Sequence, residues 1–146
     1  KPHGALYNDA AGTLALATAI AQAVAAFEPQ LILVGLAGSA LIAAGQAAGL
    51  RVAREAFIDR AYEADGTLRR RSLPGALIED EQAALDQALS IVRNNTITTI
   101  DGATVAVAAD TLCLHGDTPN AAARAAALRR GLEAAGIAIQ PLTRTK

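Results

Sequence analysis

Leu31 to Phe57 read LILVGLAGSALIAAGQAAGLRVAREAF, and this stretch decides the fold class. Leu31-Ile32-Leu33-Val34 is a short continuous aliphatic run, the pattern of a strand covered on both faces. It ends at Gly35-Leu36-Ala37-Gly38-Ser39, where Ser39 suits the cap of a helix through Leu41, Ile42 and Ala48. Gly49 stands where such a helix needs a C′ residue. A second strand, Arg51 to Phe57, follows at once. Strand, helix and strand within about 25 residues make a βαβ unit, so the two strands are expected to run parallel.

Outward from this unit the alternation continues. Upstream, Ala17, Ile20, Ala21, Val24 and Phe27 keep helical spacing between Thr13 and Phe27, and Pro29 closes that helix. Downstream, Ile58 to Leu77 read as a long polar excursion with turns at Asp65-Gly66 and Pro74-Gly75. Loops of that length are often functional. A helix is expected over Asp80 to Asn94, with Ala84, Leu85, Ala88, Leu89 and Val92 inward and Glu79-Asp80-Glu81 at its N-terminal end. Ile97 to Ile100 and Thr104 to Ala108 flank Asp101-Gly102, a hairpin signal. Thr111 to Leu114 reads as another core strand, delivering His115-Gly116-Asp117. Thr118 as N-cap and Pro119 at the first helical position start a helix that runs to about Ala135 and stops at Gly136. Ile137 to Ile139 is the last expected strand. The repeated order points to a (β/α) barrel or part of one, with a small doubly wound sheet as the alternative.

Composition narrows the function classes. A length of 146 residues fits one domain with a real core. Aromatics are only 3% while hydrophobic residues are 52%, so the core must be aliphatic and alanine-rich. The net charge of −1 argues against non-specific nucleic-acid binding, which needs a basic face. Arg69-Arg70-Arg71 therefore reads as a solvated loop or as one arginine facing a substrate. Cys113 is the only cysteine, so no internal disulfide forms and a reducing, cytoplasmic setting is expected. No apolar run approaches a membrane span, and no signal peptide is visible. Lys1-Pro2-His3-Gly4 opens on concentrated chemistry with no element before it, which suggests part of a longer domain.

Three clusters carry the chemistry. His115 and Asp117 lie at a strand end before a capped helix, where parallel α/β folds bind ligands. Histidine there can move a proton; Asp117 can orient the imidazole or act on substrate. Lys1, His3, Tyr7 and Asn8 form the second cluster, Lys1 as a charge stabiliser and His3 as a proton-transfer group. Tyr7 also reads as packing, and Asn8 as a turn cap. Glu55, Asp59, Arg60 and Tyr62 form the third. Glu55 interrupts an apolar strand, which is costly without a partner. A salt bridge of Glu55 or Asp59 to Arg60 is the bland reading; shared acid–base roles or a metal shared with a histidine are the functional ones. Arg71, near Ser72 and Pro74-Gly75, suits a substrate carboxylate. The sequence has no HExxH, CxxC, GxGxxG or Walker-type loop. Ser39 reads as a helix cap, and Cys113 as a buried small hydrophobe.

Five segments in order resemble the successive motifs of the LamB/YcsF family. They are Lys1-Pro2-His3-Gly4-Ala5-Leu6-Tyr7-Asn8, Leu33 to Ser39, Glu55 to Tyr62, Arg71 to Ile78, and Asp110 to Pro119. The resemblance implies a distorted (β/α) barrel of the glycoside hydrolase/deacetylase type, of which residues 1–146 would be the C-terminal portion of a single domain. It also implies ATP-dependent hydrolysis of the 5-oxoproline lactam to L-glutamate by an A subunit working with B and C subunits. ATP is then a cosubstrate, and a divalent metal such as Mg accompanying it is an open possibility. The site residues that the resemblance carries over are Lys1, His3, Asn8, Glu55, Asp59, Arg60, Tyr62, Arg71, His115 and Asp117, without individual roles. The family's N-terminal motifs, Asn-Cys-Asp-Leu-Gly-Glu among them, are not in this sequence. Alternatives are a metal-dependent amidohydrolase or deacetylase, a carbohydrate hydrolase acting alone, and a non-catalytic small-molecule-binding subunit.

Overall fold

A computed structural model describes residues 1–117 and 120–142. The chain is a mixed α/β protein with a parallel strand pair, and its strand order is β1-β2-β5 in one sheet and β3-β4 in a second. It divides into two compact units, Lys1–Ala56 with Val107–Thr111, and Phe57–Ala106 with the chain from Leu112 onward. No single helix among the described residues is long and apolar enough to cross a membrane.

The first unit is built on the expected βαβ motif. β1 (Ile32–Leu36) and β2 (Arg51–Phe57) pair in parallel, with Ile32 opposite Arg51 and Leu36 opposite Glu55. Between them runs α3 (Ala40–Ala47), whose first turn is capped by Ser39 Oγ accepting from the Ile42 N–H at 3.4 Å. Gly45 lets this helix lie close on the strands, because a Cβ there would stand 2.7 Å from Val52 Cγ1. Leu33, Leu41, Ala44 and Leu50 join Ala10, Ala17 and Ala21 in an aliphatic core, as the near absence of aromatics requires. α2 (Leu14–Phe27) ends before Pro29, but it buries only Ala17 and Ala21, and Phe27 is 85% exposed rather than inward.

The opening segment is not an unsupported loop. It forms α1 (Gly4–Gly12), which buries Tyr7 and Ala10. Ala5, Leu6, Ala10 and Ala11 are strong helix formers, and a burial spacing of three residues gives the helix one anchored face.

In the second unit, α4 (Glu81–Asn94) starts where Asp80 Oδ1 accepts from the Ala83 N–H at 2.7 Å and ends at Asn95 in the left-handed region, φ 53°. Its buried face is Ala84, Ala88 and Ile91; Val92 is exposed instead of inward. The hairpin forms between β3 (Thr96–Thr98) and β4 (Thr104–Ala106), which pair antiparallel. β5 (Thr111–Cys113) is half-buried, so Cys113 is not the fully buried hydrophobe its sequence context suggests. The expected cap and first position at Thr118 and Pro119 lie outside the described residues. α5 (Ala121–Ala134) follows, and Gly131 brings it close to Leu85 of α4, where a Cβ would meet Leu85 Cδ2 at 2.7 Å. The expected strand at 137–139 does not form. Gly136 turns the chain at φ 82°, and the Ile137 N–H is committed to Leu132 O at 3.0 Å as a helix-end bond.

Residues 58–77 contain no helix and no named strand, as expected, but they are tightly tied. Antiparallel bridges join Arg60 to Leu77 and Tyr62 to Leu68. Main-chain bonds run from Ala61 N–H to Ala76 O, from Arg69 N–H to Ala61 O and from Ile78 N–H to Asp59 O.

Candidate active site

Glu55 is the acidic residue that breaks the apolar pattern of β2, and its side chain is 7% exposed. A carboxylate so buried needs compensation for lost hydration. Both oxygens have it. Lys1 Nζ donates to Oε1 at 2.7 Å, and the Tyr7 hydroxyl donates to Oε2 at 2.8 Å. Lys1 Nζ also lies 5.2 Å from the centre of the Tyr7 ring, a cation–π distance. Tyr7 is therefore more than packing: α1 presents its hydroxyl to the acid that β2 supplies. Glu55 does not pair with Arg60. His3 sits at the exposed N-cap position of α1 without a side-chain cap bond, and Asn8 Nδ2 donates to Gly4 O at 3.2 Å within that helix.

The same unit contains a pair that motif reading passed over. Arg54 and Asp110 form a two-pronged bridge, Nε to Oδ2 at 2.9 Å and Nη2 to Oδ1 at 2.6 Å. The Arg54 N–H also donates to Oδ2, and the Asp110 N–H returns a bond to Arg54 O at 2.8 Å. The hydrogen bonds from Arg54 hold the Asp110 carboxyl below its ordinary value, and the same contact raises the Arg54 guanidinium.

In the second unit, Asp59 and His115 form a dyad. The ring Nδ1 lies 2.9 Å from Asp59 Oδ2 and 3.0 Å from Oδ1, and the main-chain N–H of His115 donates to Oδ2 at 2.8 Å. The Phe57 ring stacks on the imidazole with centroids 5.4 Å apart and planes at 25°. The Asp59 side chain is 6% exposed, whereas that of His115 is 23% exposed. A carboxylate accepting at Nδ1 fixes the proton there, which makes Nε2 of the neutral ring a base. No described residue bonds Nε2. The structure thus replaces the expected His115–Asp117 partnership. The reason is geometric: β5 delivers His115 beside the turn that follows β2, and the Ile58 N–H is already bonded to Cys113 O at 3.1 Å.

Asp117 instead accepts from Arg71 Nη1 at 2.7 Å, and both side chains are exposed, 57% and 46%. The Arg71 bond lowers the Asp117 carboxyl from its ordinary value. Arg60 and Tyr62 serve the loop. Arg60 is buried and donates to Ala76 O and Arg69 O, while burial and then the Arg71 charge lower its guanidinium from its usual value. Tyr62 is fully buried, and its hydroxyl accepts from the Phe57 N–H at 2.7 Å. Of the ten residues singled out in the sequence, Lys1 joins Glu55, Asp59 joins His115 and Arg71 joins Asp117, while His3, Asn8, Arg60 and Tyr62 enter none of these pairs. Among the described residues no three His, Cys, Asp or Glu side chains converge as metal ligands do. Asp59 and His115 offer two donors, short of the usual three or four.

The LamB/YcsF family profile matches residues 1–146. The chain is 64% identical over 140 residues to the 5-oxoprolinase A subunit of Chloroflexus aggregans, covering 96% of this chain and 56% of that protein. It is 56% identical over 142 residues to the 5-oxoprolinase A subunit of Methylococcus capsulatus, covering 97% and 55%. The crystal structure of a lactam utilization protein from Thermus thermophilus superposes with a TM-score of 0.85 at 47% identity, over 95% of this chain and 55% of that one. The chain thus spans about half the length of the relatives it matches.

Proposed function

The chain belongs to the LamB/YcsF family, and we propose that it works as part of a 5-oxoprolinase A subunit, opening the 5-oxoproline lactam to L-glutamate with ATP. The observation that carries this reading is the Asp59–His115 dyad, with Nδ1 held by a buried carboxylate and the ring partly open. Relatives at 64% and 56% identity, both named as 5-oxoprolinase A subunits, support the substrate class. In this reading B and C subunits complete the enzyme in the cytoplasm, and residues 1–146 are the C-terminal part of a distorted (β/α) barrel.

A lactam resists attack because nitrogen donates into its carbonyl, so hydrolysis needs an activated carbonyl and a positioned base. ATP supplies the activation, as a phosphoryl group on the lactam oxygen. His115 Nε2 then takes a proton from water while the water oxygen attacks the ring carbonyl carbon. The same proton passes to the ring nitrogen as the C–N bond breaks, which leaves γ-glutamyl phosphate; a second water then displaces inorganic phosphate from that acyl carbon and gives L-glutamate. Asp59 holds the imidazole in the required tautomer and stabilises its charged form. Arg71 has a ready exchange: a substrate carboxylate or phosphate can take the place of the exposed Asp117 carboxylate on its guanidinium. Within the first unit, Lys1 and Tyr7 hold Glu55 in one orientation. Among the described residues Asp59 and His115 supply two possible metal ligands, and the steps above use no metal.

Replacing His115 by alanine in the full-length protein, assayed with ATP and its partner subunits, tests this. Turnover is expected to fall at least about a hundredfold with the fold retained. Unchanged turnover would leave the chain as a binding subunit and end the catalytic reading.

A further inference from the structure

Gln87 lies in the middle of α4, outside every motif of the sequence, and its amide makes an unusual pair of bonds. Nε2 donates to Phe57 O at 2.8 Å and to Arg60 O at 2.9 Å. Those two carbonyls bracket Ile58 and Asp59, so one side chain grips both ends of the turn that carries the dyad's carboxylate. The orientation of the amide is dictated by its surroundings. Turned over, its oxygen would face two carbonyl oxygens and no donor.

Several other polar groups of the turn are held by other means. Phe57 N–H is held by the Tyr62 hydroxyl, Ile58 N–H by Cys113 O, Asp59 O by the Ile78 N–H and Ala61 N–H by Ala76 O. Phe57 O and Arg60 O are the positions where the hold comes from α4. Phe57 is also the residue whose ring stacks on His115. A shift of this turn therefore moves both the carboxylate at Nδ1 and the aromatic face against the imidazole.

We infer that Gln87 is a positioning residue for the Asp59–His115 dyad: by clamping Phe57 O and Arg60 O from α4 it sets the direction of the Asp59 carboxylate and hence the tautomer of His115. The inference rests on the reading of that dyad as the proton-transfer unit. Gln87 touches no reacting atom; it acts through Asp59. Its nearest counterpart on the same helix, Gln82, bonds only Asp86 Oδ1 at 2.8 Å on the exposed side.

The chain has two histidines, so His3, exposed at the start of α1, is an internal reference. Nitrogen-15 imidazole spectra of the full-length protein, with the His3 and His115 signals assigned by their loss in His3→Gln and His115→Gln variants and recorded with both rings neutral, separate the tautomers. Wild-type His115 should show the Nδ1–H form, and His3 the Nε2–H form that a free ring prefers. Gln87→Met keeps the volume and removes both donors; His115 should then shift toward the His3 pattern, while Gln82→Met leaves it unchanged. In the assembled enzyme Gln87→Met should lower kcat about tenfold with KM within about twofold. Should Gln87→Met fail to fold, Gln87→Asn, one methylene short of bridging both carbonyls, is read by the same criterion. A folded variant that keeps the wild-type His115 tautomer overturns the role of Gln87 alone. A wild-type His115 in the Nε2–H form removes the dyad, and the proposed catalysis with it.

Discussion

Asp59 holds His115 at two points, the ring Nδ1 at 2.9 Å and the main-chain N–H at 2.8 Å, although 56 positions separate them in the chain. One carboxylate thus fixes both the backbone and the ring of the same residue. The imidazole cannot rotate about its side-chain bonds without losing one contact, and it cannot move with its backbone without losing the other. Such coupling would keep the proton-transfer group proposed above in one orientation.

Asp59→Asn preserves shape but loses the charge and offers an amide that can donate to the ring. The His115 proton is then free to sit on Nε2, which is the wrong nitrogen for a base. Turnover of the assembled enzyme should fall by about a hundredfold or more, with thermal unfolding moved far less. Equal loss of turnover and folded protein would assign Asp59 to structure alone.

Glu55 predicts a stability effect. Tyr7→Phe removes one of its two side-chain donors and leaves a lone pair buried, at a cost of about 1–3 kcal/mol. Lys1→Met removes the positive charge and should cost more than Tyr7→Phe, because a buried carboxylate is left without its counter-ion. Urea denaturation of each variant measures the order, and the reverse order would contradict the ion-pair account.

The Arg54–Asp110 bridge predicts an acid dependence. Asp110 has a depressed carboxyl in the folded chain, chiefly through its bond from Arg54. A depressed carboxyl adds stability above the unfolded value, about 3.9, and that stability is lost as pH falls through the lower folded value. The bridge is partly exposed, so the contribution is screened and modest. Wild type should therefore lose more stability than Asp110→Asn when pH is lowered from neutrality into the range below about 4. Parallel curves for the two proteins would show that the bridge adds nothing.

Gly45→Ala tests the packing of α3 on the strands. Its new Cβ would stand 2.7 Å from Val52 Cγ1 and 3.0 Å from Leu33 Cδ2. Val52 is branched at Cβ and has little room to rotate away, so overpacking should outweigh the usual gain of alanine in a helix. A destabilisation of about 1–3 kcal/mol is expected, read as a fall in the denaturant midpoint.

What the sequence determined by itself was local. The βαβ unit follows from the run Leu31 to Val34, the cap at Ser39 and the turn at Gly49, all within a few residues of the structure they produce. The hairpin around Asp101-Gly102 and the start of α4 at Asp80 belong to the same class. The five ordered motifs named the family. Tertiary structure decided what crosses the chain. Glu55 takes Lys1 and Tyr7, 54 and 48 positions away, in place of the nearby Arg60, and His115 takes Asp59 in place of Asp117 two residues on. Gln87 carried no motif at all, because its meaning lies in two carbonyls 30 and 27 positions away. Caps, turns and periodicity report on neighbours along the backbone. The partner of a buried carboxylate is set by which elements the packed core brings beside it, and no spacing in the sequence encodes that distance.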